Sequence, residues 1–108
     1  MFGLFGTGTK LYEDLDGGTF KEKFEKSVNA VLLDVRTAGE VREGTIKGAI
    51  NIDMMSPSFR SEISKLDKSK DYFLICRSGN RSGQACKLMA KEGFKVCNLA
   101  YGIGDWPR

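Results

Sequence analysis

The sequence predicts an α/β domain built on a mostly parallel sheet, and three observations predict it. Short apolar runs alternate with amphipathic stretches at helical spacing along most of the chain. Two of the runs, Val31-Leu32-Leu33 and Tyr72-Phe73-Leu74-Ile75, are continuously apolar. Strands of that kind need cover on both faces, as in a parallel sheet with helices on each side. Helix-start signals stand before and between these runs, at Thr19 with Glu22 and at Thr37 with Glu40. A chain of 108 residues makes one domain, large enough for a core without disulfides or metal.

Residues 1–9 are expected to form a flexible or partly ordered N-terminal arm, with a single domain over 10–108. The start, Met1-Phe2-Gly3-Leu4-Phe5-Gly6, is apolar but has no basic flank and no long hydrophobic stretch, so it is not read as a signal peptide. Gly6-Thr7-Gly8-Thr9-Lys10 lacks the spacing of a phosphate loop, and no strand precedes it. Lys10-Leu11-Tyr12 is read as a short edge strand. Gly17-Gly18 is read as a turn, and a helix from Thr19 places Phe20, Phe24 and Val28 on one face. The run ending in Asp34-Val35-Arg36 is the next strand, followed by a short helix that Gly44 stops.

Ala49 to Ile52 makes a further strand. Ser56-Pro57 fits an N-cap with proline in the first helical position, opening a helix through Phe59, Ile63 and Leu66. The strand Tyr72 to Ile75 runs into Cys76-Arg77-Ser78-Gly79-Asn80-Arg81-Ser82. A helix follows, with Ser82, Ala85, Cys86 and Met89 on its buried stripe and Gly93 in its left-handed cap. Val96 to Leu99 is the last strand.

The net charge of +3 is mild, and the basic residues are interspersed with acids, so no nucleic-acid partner is expected. No stretch is long and apolar enough for a transmembrane segment. Three cysteines without C-x-x-C spacing, and no histidine, argue against a disulfide framework and against a metal site. A reducing, cytoplasmic compartment is the default.

The chemistry lies in the loop that starts at Cys76. It sits between a strand end and a helix start, where free N–H groups and the helix dipole favour an anion. A free thiol titrates near ~8.5, and keeping it ionised at neutral pH takes a shift of about two units, roughly 2.7 kcal/mol. A helix terminus supplies only ~0.3–1 kcal/mol. The loop amides are therefore predicted to point inward at the Cys76 sulfur, with Arg77 and Arg81 supplying field, holding the loop or binding an anionic substrate. Cys86 and Cys97 read as core residues. Without histidine there is no Cys–His hydrolase mechanism, which leaves attack on a sulfur or phosphorus centre. Cysteine phosphatases use C-x5-R around a phosphate, whereas Cys76 to Arg81 is C-x4-R. The tighter ring suits one extra sulfur atom on the cysteine, and sulfur transfer is favoured.

From Ala30 to Trp106 the chain resembles a single-domain rhodanese-like sulfurtransferase. The likeness rests on Leu33-Asp34-Val35-Arg36 with Glu40, Gly44, Ile46 and Gly48 to Ile52, the loop Cys76 to Ser82, Gly93-Phe94, and Asn98-Leu99 leading to Gly102 and Trp106. The resemblance implies a rhodanese-like α/β fold with a central, mostly parallel five-stranded sheet flanked by helices. It also implies ping-pong transfer of a sulfane sulfur through a Cys76 persulfide. The donor would be a small anion such as thiosulfate or a persulfide, the acceptor a thiol or cyanide, with a protein sulfur donor or acceptor also open. No cofactor is implied, because the side chain carries the sulfur.

Carried over, Cys76 is the nucleophile, Arg77, Ser78, Gly79, Asn80 and Arg81 complete the active loop, and Ser82 follows it. Asp34 and Arg36 match the family's Asp-x-Arg, where the resemblance suggests a part in fixing the loop. The residues alone read equally as a salt bridge or strand-end cap. Thr45, Ala38 and Tyr101 depart from the family pattern, where histidine, proline and a glycine are usual. Tyr101 is expected to shape the pocket rim or strain the backbone. Two alternatives remain open: a carrier or interaction module without efficient turnover, and a phosphatase or arsenate reductase on the same fold.

Overall fold

The computed structural model of the protein describes residues 11–108. The arm expected over 1–9, and Lys10, lie outside the described residues. The elements are β1 (Glu13–Leu15), α1 (Gly17–Lys26), β2 (Ala30–Asp34), α2 (Ala38–Arg42), β3 (Ile50–Asn51), α3 (Phe59–Ser64), β4 (Asp71–Ile75), α4 (Asn80–Lys91) and β5 (Lys95–Leu99), closed by a 3-10 turn over Ile103–Asp105. All the strand pairs are parallel, in the order β1-β5-β4-β2-β3, which gives the five-stranded sheet.

The continuously apolar strands are explained by a core on each face. On one side Leu33, Leu74, Cys76 and Val96 pack with Phe59 and Ile63 of α3 and with Ala85, Cys86 and Met89 of α4. On the other, Leu32, Phe73, Ile75, Cys97 and Leu99 pack with Phe20 of α1, and Phe24 and Trp106 close over them. Phe20 and Phe24 both meet Phe73 edge-on at 5.4 Å. The period of two along β4 decides the chemistry: Tyr72, Leu74 and Cys76 share the α4 face.

Four local expectations are corrected. Among the described residues the first strand is Glu13–Leu15, and Leu11 and Tyr12 of the expected strand lie outside it. Its position is set by pairing with β5, Glu13 opposite Cys97, and its own apolar residues do not mark it. Asp16 caps α1 in place of Thr19, its Oδ1 accepting from the Thr19 amide at 2.9 Å. Gly17 and Gly18 are thus the first helical turn. α1 ends at Lys26 and leaves Val28 95% exposed, so Val28 is no part of its buried face. α3 starts at Phe59 with Ser58 as N-cap. Ser56 instead closes a turn, its hydroxyl accepting from the Ser58 amide, so Pro57 stands before the helix.

Two end signals hold as read. Thr37 and Glu40 form a reciprocal capping box on α2. At the end of α4, Gly93 adopts φ 93° while the Gly93 and Phe94 amides donate to the Ala90 and Met89 carbonyls, a Schellman closure.

Candidate active site

Cys76 is the first residue beyond β4, at the carboxyl edge of the sheet, and α4 begins four residues later. The intervening turn depends on Gly79, the N-cap of α4, which has φ 94°. A Cβ there would stand 2.0 Å from the Ala100 carbonyl oxygen, so glycine is required by both conformation and space. The turn aims its donors at the sulfur. Cys76 Sγ accepts from the Gly79 amide at 3.1 Å, the Ser82 amide at 3.3 Å and the Ser82 hydroxyl at 3.2 Å. The inward-pointing amides are as expected; the hydroxyl is an addition.

Cys76 is fully buried. Burial by itself pushes its thiol up, but the Ser82 hydroxyl and the amides of Ser82, Ser78 and Gly79 outweigh it, and the net shift is downward. The other two cysteines go the opposite way. Burial raises the Cys86 thiol well above its ordinary value and lifts Cys97 to about 11. Among the described cysteines, only Cys76 sits among donors that favour its thiolate.

The two loop arginines divide. Arg81 is held in a two-pronged pair, its Nη1 and Nη2 donating to Glu40 Oε1 and Oε2 at 2.8 and 2.9 Å. Arg77 keeps its guanidinium largely in solvent, with Nε 3.7 Å from the same carboxylate. The Arg81 hydrogen bonds, with the Thr37 amide, hold the Glu40 carboxyl well below the usual carboxylate range. Glu40 therefore joins α2 to the Cys76–Ser82 loop while also completing the α2 cap. The sequence reading places Glu40 in the α2 cap and in the motif shared with the resembled family, and the pairing with Arg81, 41 positions away, is the addition. Ser78 and Asn80 lie on the exposed side, the Asn80 amide donating to Ser78 Oγ at 3.4 Å.

Asp34 and Arg36 form a buried pair at the end of β2. Arg36 Nε and Nη2 donate to Asp34 Oδ1 and Oδ2 at 2.9 and 2.7 Å, and Nη2 also reaches the Gly44 carbonyl at 2.6 Å. Thr45, where histidine is usual, donates its hydroxyl to Asp34 Oδ2 at 2.7 Å. The pair ties β2 to the turn before β3, and the Asp34 carboxylate favours the charge on Arg81.

The C-terminal turn closes the loop from above. Ile103 donates to the Cys76 carbonyl at 2.9 Å, and a Cβ on Gly102 would lie 1.9 Å from the Arg77 carbonyl oxygen. The glycine requirement of this turn thus falls on Gly102, at φ 84°, while Tyr101 projects outward at 71% exposed. Tyr101 borders a polar recess of about 450 Å³ with Tyr12, Asp14, Asn80, Gln84 and Asn98. A larger cavity of about 620 Å³ lies at the amino end of β4 and β5, bordered by Lys23, Asp71 and Lys95, at the opposite end of the sheet from Cys76.

A parallel open sheet with a hydrogen-bonded cysteine at the carboxyl end of a central strand defines a cysteine-centred α/β domain. The chain belongs to the rhodanese-like domain family, whose model matches residues 16–108. It is 38% identical over 94 residues to YtwF of Bacillus subtilis (strain 168), covering 87% of this chain and 89% of that one. It is 31% identical over 99 residues to a protein named Sulfurtransferase from Allochromatium vinosum, covering 91% of each. The crystal structure of a rhodanese-related protein from Thermoplasma volcanium superposes with a TM-score of 0.76 at 28% identity, covering 88% of this chain and 90% of that one. Among the described residues, no helix is long and apolar enough to cross a membrane.

Proposed function

We propose that the protein is a rhodanese-type sulfurtransferase in which Cys76 carries the sulfur as a persulfide. The observation that carries this reading is the set of three donors converging on one buried sulfur, within a loop one residue shorter than the C-x5-R loop of cysteine phosphatases. The Cys76 thiolate attacks the outer sulfur of a sulfane donor such as thiosulfate. A new S–S bond forms to Cys76, the donor's own S–S bond breaks, and sulfite leaves with the bonding pair. A thiolate or cyanide then attacks the terminal sulfur, and Cys76 leaves as thiolate. No outside oxidant or reductant enters, and no base is needed to move a proton.

The inward amides and Ser82 hold negative charge on whichever sulfur occupies the cradle. Arg77, exposed at the mouth, meets the anionic donor; Arg81, held by Glu40, fixes the loop and contributes field. Asp34 and Arg36 hold the neighbouring strand end to the turn at Gly44 and Thr45, which follows α2. The family relationship, with a relative named sulfurtransferase at near-full coverage, supports the same class.

Mass spectrometry after incubation with thiosulfate tests the reading. Gain of one sulfur atom, absent in Cys76→Ser, is expected; no gain, or a gain that survives the substitution, sinks it. The complete burial of Cys76 favours one second reading, a carrier that loads sulfur but releases it only to a docked protein. Persulfide formation without turnover onto cyanide would select that reading.

A further inference from the structure

The buried side chain of Asn98 is not used by the chemistry above. It lies on β5 opposite Asp14 of β1 and is 2% exposed. Its Nδ2 donates to Asp14 Oδ1 at 2.8 Å and to the Gly79 carbonyl at 3.1 Å. Its Oδ1 is buried with no hydrogen-bond partner among the described residues. The arrangement is one-sided: the donors are engaged and the acceptor is left at a cost. What this amide contributes therefore lies with its donors, and one of them ends on the active loop.

We propose that Asn98 is a positioning residue for Cys76: anchored on Asp14, it holds the Gly79 carbonyl and so fixes the turn whose amides and hydroxyl converge on the sulfur. Gly79 has few other ways to be fixed, since it carries no side chain and sits at positive φ. Its carbonyl accepts from Asn98 and from Gly83, the first bond of α4, while its amide donates to Sγ. Asn98 thereby orients one flank of the cradle from the sheet, as Glu40 orients the other from α2 through Arg81. The recess bordered by Asp14, Asn98 and Gly79 is the back wall of the same loop.

The inference rests on the reading of Cys76 as the reacting thiolate. Other charged or titratable groups also set its behaviour. Arg81 and Cys86 on α4 interact with it electrostatically, while Glu40 of α2 and Asp34 of β2 act on Arg81. Arg77 stands beside it on the loop and Arg36, two residues past the end of β2, pairs with Asp34; all of these residues are retained when Asn98 is changed.

The test is the pH midpoint of the Cys76 thiolate. It is read as the ultraviolet absorbance difference from Cys76→Ser, in the unsubstituted protein and in Asn98→Leu. Leucine keeps the branching and bulk but has no N–H, and the midpoint is expected to rise by about half to one pH unit. Asn98→Ser, whose hydroxyl is too short to reach the Gly79 carbonyl, is expected to rise in the same way. A folded variant with an unmoved midpoint overturns the proposal. So does failure of both variants to unfold cooperatively in urea, which would make Asn98 a purely structural residue. If the unsubstituted protein takes no sulfur from thiosulfate, the functional reading fails while this titration still decides the role of Asn98.

Discussion

Replacing Ser82 with alanine removes the hydroxyl 3.2 Å from the Cys76 sulfur and leaves the Gly79 and Ser82 amides in place. Ser82 is fully buried, and among the groups that lower the Cys76 thiol its hydroxyl contributes most. A hydrogen bond to a charged group is worth about 1.5–3 kcal/mol, and about 1.4 kcal/mol corresponds to one pH unit. A long bond to soft sulfur belongs at the low end, so Ser82→Ala should raise the thiolate midpoint by about one unit. Below both midpoints the thiolate fraction then falls about tenfold, but a more basic thiolate attacks about threefold faster. Alkylation by iodoacetamide should therefore slow by roughly three- to fourfold at low pH and quicken about threefold above both midpoints. The two rate profiles cross. Peptide mass spectrometry assigns the reaction to Cys76, and burial raises the thiols of Cys86 and Cys97 out of the way. Equal slowing at every pH, or a midpoint that stays put, would refute the reasoning, because damage to the loop slows both limbs alike.

Two further outcomes follow from the groups around the loop. Arg36→Met strands a buried carboxylate on Asp34 and should cost about 3–5 kcal/mol in urea unfolding; a loss under about 1 kcal/mol would show that Asp34 is not held by this pair. Glu40 titrates below its ordinary value in the folded protein, so its contribution is present above the unfolded carboxylate range and is lost as pH falls. Glu40→Gln should accordingly lose less stability than the unsubstituted protein between about pH 5 and pH 2, measured by urea midpoints. Parallel pH curves would count against the Arg81 pairing.

What could be read from the sequence was whatever is carried by local patterns. The strand before Cys76 declares itself by four consecutive apolar residues, and the two-sided core accounts for them. The Thr37–Glu40 box and the Gly93 closure are contained within a few residues, so their signals survive without knowledge of the fold. Partners distant in sequence were not legible. β1 is two acidic residues and a leucine, and only pairing with β5 makes it a strand. Glu40 reads as a cap until the fold brings it 41 positions across to Arg81. Asn98 reads as one member of a motif, and its two bonds reach residues 84 and 19 positions away. The loop was visible from its own residues; of its supports the residues could be named, but the contacts that Glu40 and Asn98 make with it could not.

The C-terminal turn has a consequence for how this protein would fail. Ile103 holds the Cys76 carbonyl, Gly102 lies against Arg77, and Asp105 accepts the Gly17 amide at 2.7 Å, which moors the turn to the start of α1. The mooring uses a handful of bonds at the rim and the packing of Ile103 and Trp106 on one core, whereas the sheet is held by the cores on both its faces. Such a rim can open at a fraction of the free energy needed to melt the whole domain. On warming, the cradle would lose its shape while helix and strand content stayed intact. Reactivity and folding would then have separate melting points, and the lower one would belong to the last turn of the domain rather than to the cysteine.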